Sequence, residues 1–107
     1  MKIRDECLLS AAEGWIRPTG IEIRSMLADI GRQYGLLDKG GNPRPLSGSE
    51  TAKLLGLGPT GGRTVRRWTS EASDIPFAAW SILCSAAGYG QIWKVEAVLN
   101  IQDDEED

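Results

Sequence analysis

Three arginines within five positions, Arg63, Arg66 and Arg67, stand in the segment GRTVRRWT with Thr64 and Thr69 between and beside them. A guanidinium is planar, permanently charged and forked, which suits it to guanine edges and to phosphate oxygens. If the segment is helical, Val65 and Trp68, three apart, fall on one face and the arginines and threonines on the other. The preceding stretch SGSETAKLL adds Ser49 and Lys53, and Gly62 adds a backbone amide at the start of the second helix. These residues form a candidate interface for double-stranded DNA. Arg66 and Arg67 stand at or near base edges, Arg63, Thr64, Ser49, Lys53 and the amides around Gly62 stand on phosphates, and Thr69 extends the outward face.

Other chemistries have little support. The chain contains no histidine, which removes Ser-His and Cys-His nucleophile pairs, the HExxH zinc site and histidine-containing zinc fingers together. Cys7 and Cys84, 77 positions apart and without neighbours at metal-ligand spacing, read as buried or half-buried thiols on helices. The run Gly56-Leu57-Gly58-Pro59-Thr60-Gly61 formally matches G-x-G-x-x-G. A dinucleotide site, however, needs a preceding strand inside a βαβ unit, and SGSETAKLL reads as helix. A phosphate loop fails because Leu57 and Arg63 occupy the glycine and lysine positions. The expectation is a non-enzyme with no catalytic residues, no metal and no cofactor.

The candidate residues need two short helices and a turn, within residues 46–70. Ser47 and Glu50 make an S-x-x-E capping box that starts the first helix; Ala52 and Leu55 share a face; Gly56 stops it. The second begins near Gly62. Thr19 and Glu22 repeat the capping signature ahead of the apolar stripe Ile23, Met26, Leu27, Ile30 and Tyr34, leaving Glu22, Arg24, Ser25, Asp29, Arg32 and Gln33 for solvent. The run DKGGNPRP at 38–45 is a loop by composition, either a backbone-contacting arm through Lys39 and Arg44 or a flexible linker. Phe77 to Ala87, with Pro76 at its first turn, is apolar on most sides and belongs to the core, with Trp68 and Trp80.

Small Ala52, turn Gly56, then Val65 and Trp68 three apart in a basic helix resemble the Cro and repressor superfamily of helix-turn-helix proteins, especially short phage and plasmid regulators of the KorC kind. GRTVRRW followed by DIPFAAW strengthens the likeness, which spans roughly Thr19 to Gly88. Seven residues separate Leu57 from Val65, a wider turn than the family usually has. The resemblance implies a repressor from a phage, plasmid or similar mobile element, a homodimer on a palindromic site, with the helix before the motif bracing its back.

At the two ends the pattern is weaker. Ile3, Cys7, Leu8, Ala11, Ala12 and Trp15 step by threes and fours, predicting a first helix within Lys2–Trp15 that ends near Gly14. In Gln91–Leu99 the Val and Ile content favours a strand, while Val95, Val98 and Leu99 favour a helix; the reading adopted is a strand pairing with its copy in a second subunit. The fold class expected is therefore mainly all-α: a compact domain of four to five helices over 1–101 with a short C-terminal strand, and a solvated acidic tail over 102–107. No signal peptide or membrane span is legible, so a cytoplasmic protein is expected.

The chain carries a net charge of -3, yet Lys39–Trp68 holds six cations against one anion, and Asp103–Asp107 five carboxylates. A local basic patch, screened from acids beyond about 10 Å, can bind phosphate despite a negative total. The acidic balance, the wide turn and the acidic tail also motivate a second class: a protein-binding module that keeps the scaffold and inhibits a host protein complex.

Overall fold

A computed structural model describes residues 3–99. Four α-helices carry the fold: α1 (Gly20–Gln33), α2 (Gly48–Leu55), α3 (Gly61–Thr69) and α4 (Phe77–Ala86). Two short 3-10 turns, Asp5–Leu8 and Ala11–Glu13, precede them, and residues 95–99 are helical. Among the described residues there is no strand, only an isolated bridge between Leu37 and Pro43. The mainly helical class stands; the acidic tail expected over 102–107 lies outside the described residues.

Both ends of the domain correct the sequence reading. The single helix expected within Lys2–Trp15 is replaced by the two 3-10 turns, with Leu9 and Ser10 extended between them. The carbonyl of Cys7 explains the break. It accepts the indole N–H of Trp80 at 2.7 Å and that of Trp15 at 3.1 Å, so both of its lone pairs are committed and no α-helical amide can use it. At the other end, the strand expected in Gln91–Leu99 is absent. A lone strand leaves its backbone groups unpaired, whereas a helix satisfies them within the segment. The proposed pairing of that strand with its copy falls with it.

Thr19 starts α1 through a complete capping box with Glu22, and Ile23, Met26, Leu27 and Ile30 are buried against α4 and α3. Tyr34, placed by periodicity in this stripe, is exposed because it is the cap residue beyond the last helical turn. Glu22, expected in solvent, is only 3% exposed. Its carboxylate accepts Arg4 Nε and Nη2 at 2.8 Å each, the amides of Thr19 at 2.8 Å and Arg4 at 3.1 Å, and the Cys7 thiol at 3.7 Å. An anion can be buried when its lone pairs are filled by charged and amide donors.

The loop at 38–45 is ordered. Asp38 accepts the amides of Gly40 and Asn42, at 2.9 Å each, and the Arg44 amide donates to Leu36 O at 3.0 Å. The closed hairpin lays its Arg44 carbonyl against Gly31, where a Cβ would overlap it. Leu46 then donates to Leu27 O at 3.0 Å, delivering the chain to α2. Trp80, Leu83 and Cys84 of α4 complete the core with Ile3, Cys7, Val65, Trp68, Ile75 and Ile92. Burial pushes the thiols up, Cys7 to about 11 and Cys84 to about 12, so both are neutral packing groups.

The Arg4 guanidinium, ahead of the opposing effect of burial, holds the Glu22 carboxyl at about 2 instead of 4.5. A depressed carboxyl contributes stability that is present above its unfolded pKa and lost as pH falls through the folded one. Urea midpoints should therefore drop as pH is lowered from about 4.5 towards 2. Glu22→Gln should lower stability at neutral pH by about 1–3 kcal/mol and flatten that acid limb, leaving the smaller share of Glu50, also held at about 2 by Arg44.

Candidate nucleic-acid interface

The two-helix unit is built as its sequence dictates. Ser47 and Glu50 form the capping box of α2, each satisfying the other's free amide at 3.0 and 2.9 Å. Gly56 ends α2 in the left-handed conformation at φ +70, which costs glycine nothing. Leu57 donates back to Ala52 O and Gly61 to Gly58 O, both at 3.0 Å, so the wide turn is a compact one. α3 then starts at Gly61, whose place no other residue fills: a Cβ there would stand 2.6 Å from Ala52 Cβ and 2.7 Å from Leu57 Cβ. Val65 and Trp68 are buried on the inner face of α3, and α2 with α3 forms the most extensive helix pair.

The opposite face of α3 carries Arg63, Arg66 and Arg67, all exposed. Among the described residues no ion pair or hydrogen bond engages any of the three guanidinium groups. α3 has no acidic residue in its first turn. Glu50 is held bidentately by Arg44, at 2.9 and 3.1 Å, which also removes Arg44 from any contacting arm. Like charges three and four apart repel by a few tenths of a kcal/mol per pair, and nothing within the described protein relieves them.

Ser49, Gly62, Arg63 and Arg66 converge on one open concavity of about 290 Å³, completed by Pro59 and Thr60, which sequence reading did not single out. Arg66 lies back along the helix: a Cβ on Gly62 would be 3.6 Å from its Nη1. No side chain caps α3, so its amino end faces this concavity without a protein anion. Lys53 is exposed on α2, Thr64 half-buried and Arg67 exposed on α3, outside the concavity lining. Thr69 plays an inward part: its hydroxyl donates to Arg66 O at 3.1 Å and its carbonyl accepts Arg24 Nη1 at 2.8 Å.

Chains similar to this one carry a name. It is 49% identical over 94 residues to the transcriptional repressor protein KorC of Escherichia coli, covering 88% of this chain and 93% of that relative. A second Escherichia coli protein of the same name is 47% identical over 92 residues, 86% of this chain and 91% of the relative. The chain belongs to the KorC transcriptional repressor family. With only 13 of 107 positions outside the longer alignment, none of α1 to α4 falls beyond the shared KorC sequence. No protein-family model matches the chain, and no solved structure matches it. KorC proteins bear the name of repressors, not enzymes, and no described helix is long and apolar enough to cross a membrane.

The Gly61 contact between α3 and α2 gives a direct check. Gly61→Ala should destabilise the protein by about 1–3 kcal/mol through overpacking against Ala52 and Leu57, read as a lower urea midpoint. Gly62→Ala, whose nearest neighbour would sit at an ordinary 3.6 Å, should leave the midpoint close to wild type.

Proposed function

We propose that this protein represses transcription by binding double-stranded DNA as a homodimer, with α2 and α3 working as a helix-turn-helix of the Cro and repressor type. The observation that carries the reading is the triad of Arg63, Arg66 and Arg67, exposed and without an ion pair among the described residues, on a helix whose other face is locked into the core. A polyanion is the partner that relieves such a cluster, and a short helix with outward guanidinium groups fits the major groove. Arg66 and Arg67 read base edges. Arg63, Thr64, Ser49, Lys53 and the Gly62 amide hold phosphates, the amide at the positive end of α3. Thr69 serves from behind, through its backbone.

α3 has nine residues, about 14 Å of helix, which spans roughly four base pairs. So short a reading head needs a second copy to specify a site. The face for it is apolar. Ile82 on α4, Trp93, and Val95, Val98 and Leu99 in the terminal helical segment are between 41% and 61% exposed; Ile82 and Trp93 line a trough with Phe77, Ala78 and Ser81, and Val95 and Val98 line the one that adjoins it at Phe77 and Trp93. The cation beside it, Lys94, is paired with Glu13 at 3.1 Å, leaving a face suited to its own copy and unsuited to DNA. A trough and a neighbouring ridge on one chain allow the self-complementary exchange that a two-fold contact requires.

Selection from a random duplex library at low salt should return a palindromic site. Arg66→Ala and Arg67→Ala should each weaken operator binding by about 1–3 kcal/mol and relax preference at one position per half-site, with unchanged thermal stability. Absence of any sequence preference in the wild type would overturn the reading.

The subunit arrangement has its own test. Val98→Glu or Ile82→Glu, both at exposed positions, should convert the dimer into a folded monomer in sedimentation equilibrium and weaken operator binding steeply. A wild-type protein that sediments as a monomer at micromolar concentration and in the presence of operator would remove the dimer from the proposal.

A further inference from the structure

Beyond the residues that face outward, the far end of α3 is held in an unusual way. Past Thr69 and the cap residue Ser70, Glu71 adopts φ +65, the one non-glycine residue with positive φ among those described. That position after a helix is where glycine is the ordinary choice, and a residue with a Cβ is strained there. A strained conformation kept by a residue that is not glycine points to work for its side chain. The Glu71 carboxylate accepts the amide of Gly20, the first residue of α1, at 2.8 Å. Arg24, one turn further along α1, donates to the Thr69 carbonyl at 2.8 Å. Gly20 makes the approach possible, since a Cβ on it would overlap the Thr69 carbonyl.

We infer that Glu71 and Arg24 are positioning residues for sequence reading, a two-point latch that fixes the carboxyl end of α3 to the amino end of α1. The proposal rests on the reading of α3 as the base-contacting helix. The electrostatics suit the arrangement: a carboxylate sits at the positive end of α1 and a guanidinium at the negative end of α3. Mechanically, the near end of α3 is fixed by Gly61 against Ala52 and its inner face by Val65 and Trp68, so without the latch a helix of nine residues would still tilt and swing on that inner face. Arg66 and Arg67 lie in its last turn, where the swing is greatest. Bidentate pairing with a base edge tolerates little displacement, whereas a phosphate contact, a point attraction, tolerates more.

The latch is tested on the full-length protein with its selected operator and an unrelated duplex, each titrated over a range of salt. Glu71→Gly relieves the backbone strain and removes the carboxylate, so its melting temperature should match or exceed wild type. Its affinity for the operator should nevertheless fall about five- to tenfold, the size of a lost helix cap, with affinity for the unrelated duplex unchanged. Glu71→Gln keeps an acceptor oxygen and should restore operator affinity. Arg24→Ala should behave as Glu71→Gly does, with the salt slope of wild type. The latch is overturned if Glu71→Gly binds the operator as well as wild type does, or weakens on both duplexes equally. It is overturned for Arg24 if the salt slope of Arg24→Ala falls by about one, the mark of a direct phosphate contact. A wild type without sequence preference overturns the functional reading itself, and the latch with it; a wild type with preference that survives every latch variant overturns the latch alone.

Discussion

α3 is clamped at both ends by backbone approaches that only glycine permits. At its start Gly61 sits against Ala52 and Leu57, and at its end the Thr69 carbonyl presses on Gly20. A helix of nine residues has little stability of its own in water, because nucleation is costly and few bonds repay it. What holds it helical is the burial of Val65 and Trp68 between α2 and α1, together with these two contacts. The outward arginines oppose that stability slightly by their mutual repulsion and are free to be chosen for a partner. A rigid inner face and an unconstrained outer one are the physical conditions for a recognition surface whose geometry is set before the partner arrives.

Much of this was legible because it is local. The two capping boxes, the stop at Gly56, the stripe along α1 and the inward pair Val65 and Trp68 all follow from spacing alone, since each depends on residues within about one turn. The features that escaped depend on residues distant in sequence. Glu22 reads as a solvent residue until Arg4, 18 positions earlier, folds over it. Cys7 offers its carbonyl to Trp80 across 73 positions, and that competition breaks the amino-terminal helix which periodicity suggests. Glu71 looks like an ordinary turn acid; its φ and its bond to Gly20, 51 positions away, have no sequence signal. For residues 95–99 the β-branched content outweighed the three-four spacing in the reading, yet no partner strand lies among the described residues. In the candidate interface the spacing of Arg63, Arg66 and Arg67 puts them on the exposed face where the structure has them, whereas the contacts of Thr69 with Arg66 O and Arg24 have no local signal.

A net charge of -3 and the exposed arginine face of α3 coexist in part because of where three of the described acids are bound. Glu22 accepts the amide of Thr19 ahead of α1, Glu50 that of Ser47 ahead of α2, and Glu71 that of Gly20 at the start of α1. Each carboxylate is drawn to a helix amino end by free N–H groups and by the dipole, and two of them carry an arginine as well, Arg4 on Glu22 and Arg44 on Glu50. An acid held by local geometry in this way cannot turn to neutralise a neighbouring helix. Among the described residues the guanidinium groups of α3 thus make no ion pair, and Glu50 and Glu71 are already engaged in building the helices that α3 leans on.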